Sequence, residues 1–463
     1  MKKPRAVSRD SELQRERWRR GAQFFIPQPM GLSPRIRSLT WSALCVIGLS
    51  APAAPAAVAA PLLLPDGSTL ELDTITEPTL RSAIYSFVES YPDTLGPAAA
   101  DYGTVAQFER LYPDSVWDRW MIDGLTNEDG SLAWRRSRDM MALVEMYETT
   151  RDPRYLDRLW RFANHVLDAR DDRRQLANFR GKIAPAWGAS VYGNIPRRAV
   201  FLVHSGMILE PIFQLLLLLR EAEADSLDDT REAIVIAGAT PEARRRMLWA
   251  CLESLEYFEP VYREGPREDE GHYVSEDEER ERERLPEPYN RQNVMALNFW
   301  AAHRLTDDPG YADRAERLAR FFQRRLERRE GDFYLWDYEP PMTERGIHAR
   351  QPGEAAVICD DISHAYYAIE PLPRLVEGGV VFTEEDLARF ARTLTRSFHW
   401  GHGVFFTTIG CGPNFTPRIM RNLPGWLCVA DADPELRPLV EGFMRRNVAE
   451  PEPLHLAYLI RAD

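Results

Sequence analysis

The stretch Cys359-Asp360-Asp361-Ile362-Ser363-His364 gathers two carboxylates, a hydroxyl and an imidazole directly ahead of the apolar run Ala365-Tyr366-Tyr367-Ala368-Ile369. A helix start needs one Asp or Ser as its N-cap. Asp360, Asp361, Ser363 and His364 together exceed that need, and a carboxylate beside an imidazole is equipment for general acid–base catalysis. Comparable polar clusters lead into four other apolar stretches. Trp134 to Asp139 precede 140–150, and Tyr192, Asn194, His204 and Ser205 precede 206–221. Tyr289 to Asn293 precede 294–305, and Asn414, Arg418, Arg421 and Asn422 precede 425–431.

What must position these clusters is a set of helical hairpins. Residues 141–170 and 297–329 repeat one another through the motif T-x-D-P-x-Y. Thr150, Asp152, Pro153, Tyr155 and Ala163 match Thr306, Asp308, Pro309, Tyr311 and Ala319. In each copy an apolar helix stops at a turn, Asp is the N-cap of a second helix, and Pro opens it. The first helix is apolar nearly all round and is expected inside; the second has one polar face and is expected outside. Similar pairs are drawn at 206–223 with 240–258, at 362–375 with 383–398, and at 425–431 with 434–446. An N-terminal helix around 76–91 brings the total to five or six hairpins, enough to close a ring. In such a ring all inner helices run the same way, so their polar leading ends share one mouth.

This alternation of inner and outer helices, the T-x-D-P turn and the Trp- and Tyr-rich loops resemble the (α/α)-toroid, or six-hairpin, carbohydrate-active superfamily. The resemblance covers about residues 75–450 and implies an all-α toroid with short β segments in its loops. Within that superfamily, Tyr-Asn-Arg-Gln-Asn (289–293) followed by Asp-Asp-Ile-Ser-His-Ala (360–365) is similar to secreted bacterial toroids grouped with uronate lyases and uronyl epimerases. The resemblance implies a Tyr, a His, an Asn and an Arg in one cleft, available here as Tyr289, His364, Asn290 and Arg291.

Lyase or epimerase chemistry removes a proton next to a uronate carboxylate, which requires a base and a group that neutralises the carboxylate. Tyr289 and His364 are the expected proton carriers, with Asp361 beside them and His204 as a second imidazole. Asn290, Arg291, Asn293 and Asp360 are expected to hold the sugar, and Trp187, Tyr192, Trp336 and Tyr338 offer rings for a sugar face. The alternative is a glycoside hydrolase on a neutral glycan, which needs two carboxyl groups flanking the bond. One of Asp360 and Asp361 would then cap the helix and the other face the cleft, with Glu210, Asp337 or Glu339 as partner. A third reading is a non-catalytic glycan-binding toroid that uses the same aromatic cleft.

Other chemistries find little support. His399 and His402 have a spacing open to a metal but lack an evident third ligand, so no metal and no cofactor are expected. GxSxG, Walker A and GxGxxG motifs are absent from the sequence. The five leucines 215–219 are too short a run, with charges beside them, to cross a membrane.

The bulk composition fits an exported globular protein. With 44% hydrophobic and 11% aromatic residues among 463, there is ample core material. Residues 1–60 read as an N-terminal extension and signal peptide: Arg35 and Arg37, an apolar stretch, then Ala57-Val58-Ala59, with Met30 as a natural start. Residues 61–463 form the toroid domain, placed in the periplasm or outside the cell, with no stable membrane insertion once the signal is cleaved. Beyond residue 60 the chain carries 48 basic against 68 acidic side chains, a formal charge of −20. Such a field repels nucleic acid, and an oligo- or polysaccharide is the expected partner. Cys251, Cys359, Cys411 and Cys428 show no CxxC spacing, and an oxidising compartment permits one or two disulfides among them.

Overall fold

The structure, a computed structural model, describes residues 62–91, 100–122, 125–192, 197–226, 236–275, 285–343, 346–347, 359–409 and 412–461. The signal segment with Met30, and Cys411, lie outside the described residues, as does 276–284. By its contacts the chain divides into two units. One is Ala59–Val191 with Arg197–Asp463 and holds all the architecture below; the other is Met1–Val58 with Tyr192–Pro196.

In chain order the principal helices are α1 (Pro78–Ser90), α2 (Val105–Leu111), α3 (Ser137–Thr150), α4 (Pro153–Asp168), α5 (Leu202–Ser226) and α6 (Pro241–Glu256). They continue with α7 (Tyr289–Thr306), α8 (Pro309–Gln323), α9 (Ile362–Ile369), α10 (Glu384–Thr393), α11 (Leu436–Asn447) and α12 (Pro453–Ile460). A 3-10 segment, Leu423–Ala432, acts as a further rod. The sheets among the described residues are two-stranded ribbons in the loops.

The rods close a ring. Helix α3 packs on α5, α5 on α7, α7 on α9, α9 on the 3-10 segment, that segment on α12, and α12 back on α3. Outside them, α4 covers α3 and α5, α6 covers α5 and α7, α8 covers α7, and α10 and α11 flank the 3-10 segment. The fold is an all-α toroid. One expectation is corrected: α1 does not supply the sixth hairpin, because its buried Phe87 packs on Phe405 and Phe443 at the rim. The ring is closed instead by α12, against which α2 lies, so segments from opposite ends of the sequence complete it.

The repeated motif works through identical local chemistry in both copies. Thr150 Oγ1 donates to Met146 O at 2.6 Å and Thr306 Oγ1 to Ala302 O at 2.8 Å. The next residue turns into the left-handed region, Arg151 at φ 58° and Asp307 at φ 60°, which stops the helix. Asp152 and Asp308 then cap the outer helix by accepting from Arg154 N (3.0 Å) and Gly310 N (2.8 Å). The motif tyrosines tie each outer helix to the preceding one: Tyr155 donates to Glu109 of α2 and Tyr311 to Glu256 of α6.

Helix α5 is long and apolar enough to cross a membrane, yet the apolar stretch of its 22-residue span Leu202–Glu223 is buried among its neighbours. It approaches α7 closely at Gly206, where a Cβ would stand 2.8 Å from Val294 Cγ1. Asn298 Nδ2 donates to Gly206 O at 2.8 Å in the same contact.

Buried ion pairs stitch the rods together. Arg138 of α3 bonds Glu210 of α5 and, at 3.0 Å, Glu370 just after α9; Tyr458 of α12 also donates to Glu370, at 3.2 Å. Burial pushes the Glu210 carboxyl up to about 8 against the pull of Arg138, with Glu370 adding to the rise. Elsewhere Arg374 holds Glu145 and Glu148 of α3, at 2.9 and 2.8 Å. Removing one member of a buried pair leaves the other charge unpaired in a low-dielectric interior, at a cost of about 3–5 kcal/mol. Arg138→Ala is therefore expected to lower stability by that amount in urea unfolding; an unchanged midpoint would show that this cluster does not hold the ring.

Candidate functional site

The leading ends of the rods meet at one mouth, as the repeat implied. Trp134, on the π-helical turn Leu132–Arg136 before α3, donates Nε1–H to His204 Nε2 of α5 at 3.1 Å. The Trp134 ring meets Tyr367 of α9 edge-on at 5.4 Å. The charge of Arg291, in the first turn of α7, acts on both His204 and His364. Asn422, before the 3-10 segment, donates to Ser363 Oγ at 2.6 Å, and the charge of Glu452, preceding α12, reaches Tyr367.

At the centre of this mouth stands Asp361. Its Oδ1 accepts from Ser363 N (2.9 Å) and His364 N (3.0 Å), capping α9, while Oδ2 accepts the His364 Nδ1 proton at 2.7 Å. Its backbone pairs with Thr408, so a loop strand holds it from behind. Burial alone would raise the Asp361 pKa, but the bond and charge of His364 and the two backbone N–H groups outweigh it and hold it low. Burial likewise opposes the imidazolium, yet Asp361 keeps the His364 pKa above its ordinary value. With Nδ1 committed, Nε2 is the ring nitrogen left for a ligand, and 22% of the His364 side chain remains exposed. The Tyr338 ring lies 4.7 Å from it.

Asp360 is opposite in character. It is 2% exposed, and its Oδ1 accepts from Asp361 N at 2.9 Å and its Oδ2 from Trp336 Nε1 at 2.6 Å. Burial, then the neighbouring Asp361 charge, pushes its pKa up to about 8. Two adjacent carboxyl groups thus hold opposite protonation at neutral pH, a pattern by which acid and base assignments are recognised. Their backbone context explains it: Asp361 stands at a helix N-terminus among N–H donors, and Asp360 one residue earlier points into the aromatic packing around Trp336, Phe322 and Phe390.

Several expected site residues serve the scaffold. Trp336 is 1% exposed, so it holds Asp360 and offers no face to a sugar. Trp187, also 1% exposed, donates to Val166 O at 2.8 Å inside the core. Tyr289 is 1% exposed and turned outward onto Phe322 of α8 at 4.8 Å; burial drives its pKa well up, which does not suit a base in the cleft. His204 is fully buried, with Trp134 at Nε2 and Asn127 Nδ2 2.9 Å from Nδ1. Burial, assisted by the Arg291 charge, pushes it down to about 3, so it stays neutral and does not fit the role of a second proton carrier.

Asn293 is buried and donates to Ala368 O at 2.7 Å, fastening α7 to α9. Arg291 reaches the mouth but is held by Glu287 at 2.7 Å, so its charge is largely answered. Glu210 is engaged with Arg138 rather than with the mouth. Tyr192 belongs to the separate unit of residues 1–58 and 192–196. His402 bonds Asp66 at 2.8 Å, and the His399 ring packs on Phe405 at 5.2 Å, so both loop histidines have structural partners. Among the described residues, His364, Asp361, Tyr338, Asn290 and the paired Arg291 are the expected side chains that belong to the mouth itself.

Two contributors escaped the sequence reading. Tyr367 is three residues after His364 on the same helical face, a spacing that could have revealed it. Asn127, which accepts from Ala133 N (3.2 Å) and donates to Trp187 O (3.0 Å), lies in a polar loop with no periodic signal.

No family model and no curated protein matches the chain. Among solved structures it is similar to two inactive variants of the alpha-1,6-mannanase of Salegentibacter sp. HEL1_6. With the variant bound to alpha-1,6-mannotetrose it shares 10% identity at a TM-score of 0.32, and with that bound to alpha-1,6-mannotriose 9% at 0.31. Each match covers 66% of this chain and 89% of the other.

The raised Asp360 pKa has a signed consequence. The folded state holds this proton from the ordinary 3.8 up to about 8. Its contribution to stability is therefore complete below the ordinary value and is lost as pH rises through about 8. Asp360→Asn cannot titrate, so its stability relative to wild type should improve between about pH 5 and pH 8.5 in thermal unfolding. A constant difference between the two proteins would mean that Asp360 is ionised throughout.

Proposed function

We propose that this toroid is a carbohydrate-active enzyme and that its chemistry is glycoside hydrolysis at the Asp360–Asp361–His364 cluster. What supports the reading is the placement of the two adjacent carboxyl groups: Asp360 is closed in under Trp336, and Asp361 stands at the mouth in contact with the partly exposed His364. Glycosidic cleavage needs a proton for the leaving oxygen and a carboxylate opposite the developing positive charge. Asp361 is the carboxylate. The Nε2 of His364 carries a proton toward the cleft, while Asp360, closed off beneath Trp336, tunes the charge of the cluster without reaching the substrate. Partly exposed Tyr338, Tyr367 and Trp134 give the mouth the aromatic surface against which sugar rings pack.

Export to an oxidising compartment is part of the same proposal. Cys359 is disulfide-bonded, to a partner outside the described residues, while Cys251 and Cys428 are free and buried. A disulfide beside the site supports an extracytoplasmic location.

A second reading draws on the His364–Asp361 pair itself. An imidazole backed by a carboxylate exchanges protons with carbon acids as well as with oxygen, which is the requirement of a lyase or epimerase. The placement of Tyr289 and the pairing of Arg291 with Glu287 weigh against it, since one of the two expected proton carriers faces away from the cleft and the cationic neutraliser is already paired.

The test is a panel of neutral and uronate-containing polysaccharides. The hydrolase reading expects reducing ends released from a neutral glycan without ultraviolet absorbance from unsaturated ends. Asp361→Asn retains a good helix cap while removing the charge, so it should keep its fold and lose about 10²- to 10⁴-fold in rate. His364→Ala should fall in the same range. Unsaturated products from a polyuronate would select the second reading, and full activity in Asp361→Asn would end both.

A further inference from the structure

Asn290 is 4% exposed, yet neither its amide oxygen nor its amide nitrogen has a hydrogen-bond partner. A buried amide left unpaired costs free energy in the ligand-free protein, so its presence at the mouth calls for a cause.

The helix fixes where it points. Asn293 of α7 bonds α9, and Asn298 bonds α5. At about 100° per residue, Asn290 falls between those two directions, facing the axis of the ring. One turn further along the same face, Val294 packs with Val203 and Met207 of α5, and Trp134, Phe201 and Tyr367 cover that small cluster. Asn290 therefore stands directly above the apolar floor of the mouth, on the wall next to the one that carries His364.

Resting on the hydrolase reading, we propose that Asn290 is a specificity-determining residue that reads a vicinal pair of hydroxyl groups on a neutral pyranose. Its side chain offers one acceptor and one donor side by side. Two neighbouring hydroxyls, each able to donate and accept, satisfy both at once. A uronate ring can carry the same vicinal hydroxyl pair, so the amide reads the diol and leaves the choice between neutral and anionic rings to the charge around it. The apolar floor beneath receives the ring face of the same sugar, and the ionised Asp361 nearby disfavours an anionic ring. The unpaired amide is thus a vacant half of a hydrogen-bonding pair that the substrate completes.

The experiment measures binding by calorimetry on the His364→Ala protein, which keeps the Asp361 carboxylate, with gluco-, galacto- and manno-oligosaccharides and with oligouronates. At least one neutral series should bind and the oligouronates should not. Adding Asn290→Leu should weaken that binding about 10- to 100-fold while raising the Tm, because an unpaired buried amide is replaced by a side chain of similar size. A merely structural asparagine would give a lower Tm and unchanged affinity, and that result overturns the proposal. So does binding of oligouronates in preference to neutral sugars, or no binding of any neutral series. Asn290-dependent binding of a neutral sugar that wild type fails to hydrolyse would remove the hydrolase reading and leave this one intact. Hydrolysis with a KM insensitive to Asn290→Leu would do the reverse.

Discussion

The Asp361 carboxylate is the point on which the site turns. Three donors converge on it: two backbone N–H groups of the first turn of α9 and the Nδ1–H of His364. The same three contacts start the helix, fix the tautomer and orientation of the imidazole, and keep Asp361 ionised in a place where burial would neutralise it. Burial under Trp336 is the larger reason that Asp360 is pushed up, and the Asp361 charge beside it adds to the rise. The capping interaction thereby sets the protonation of Asp361 and His364 and contributes to that of Asp360.

That interaction has consequences for function only because the ring aims it. The rods point their leading ends the same way, so caps and first-turn residues from different hairpins share a small volume. Parallel rods also place six helix N-termini at that end, and their partial positive charge favours an ionised carboxylate there. At the other end of the stack the demand is different: Arg374 and Arg461 answer Glu145 and Glu148 without any exposed chemistry. At the mouth the Asn290 amide has no partner on either atom, and an unanswered polar group beside a titratable cluster is what a ligand site looks like before its ligand arrives.

The hairpin architecture was legible because its signal is local and repeated. T-x-D-P-x-Y encodes a stop, a left-handed turn, a cap and a helix start within six residues, and both copies behave alike. The polar excess at 360–364 was legible for the same reason, since a cap needs one acid and the sequence supplied two. The direction of individual side chains was not. Tyr289 and Asn290 are adjacent and equally polar on paper, yet one helical step of about 100° sends the tyrosine outward to α8 and the asparagine to the axis. Trp187 and Trp336 are buried where open stacking surfaces were expected, because an indole N–H finds a partner in the core as readily as at a cleft. The sixth rod was missed for a different reason: α12 closes the ring through contacts with α3 and α2, far away in sequence, and no local pattern announces such a partnership.

The most direct measurement is a carbon-13 NMR titration of the aspartate carboxyl groups, with Asp360→Asn and Asp361→Asn used to assign the two signals. The account predicts two separated steps for the pair, one below the usual carboxylate range belonging chiefly to Asp361 and one near the 8 to which Asp360 is pushed. A single common transition near the ordinary aspartate value would contradict it, because the two neighbours would then carry the same charge at neutral pH.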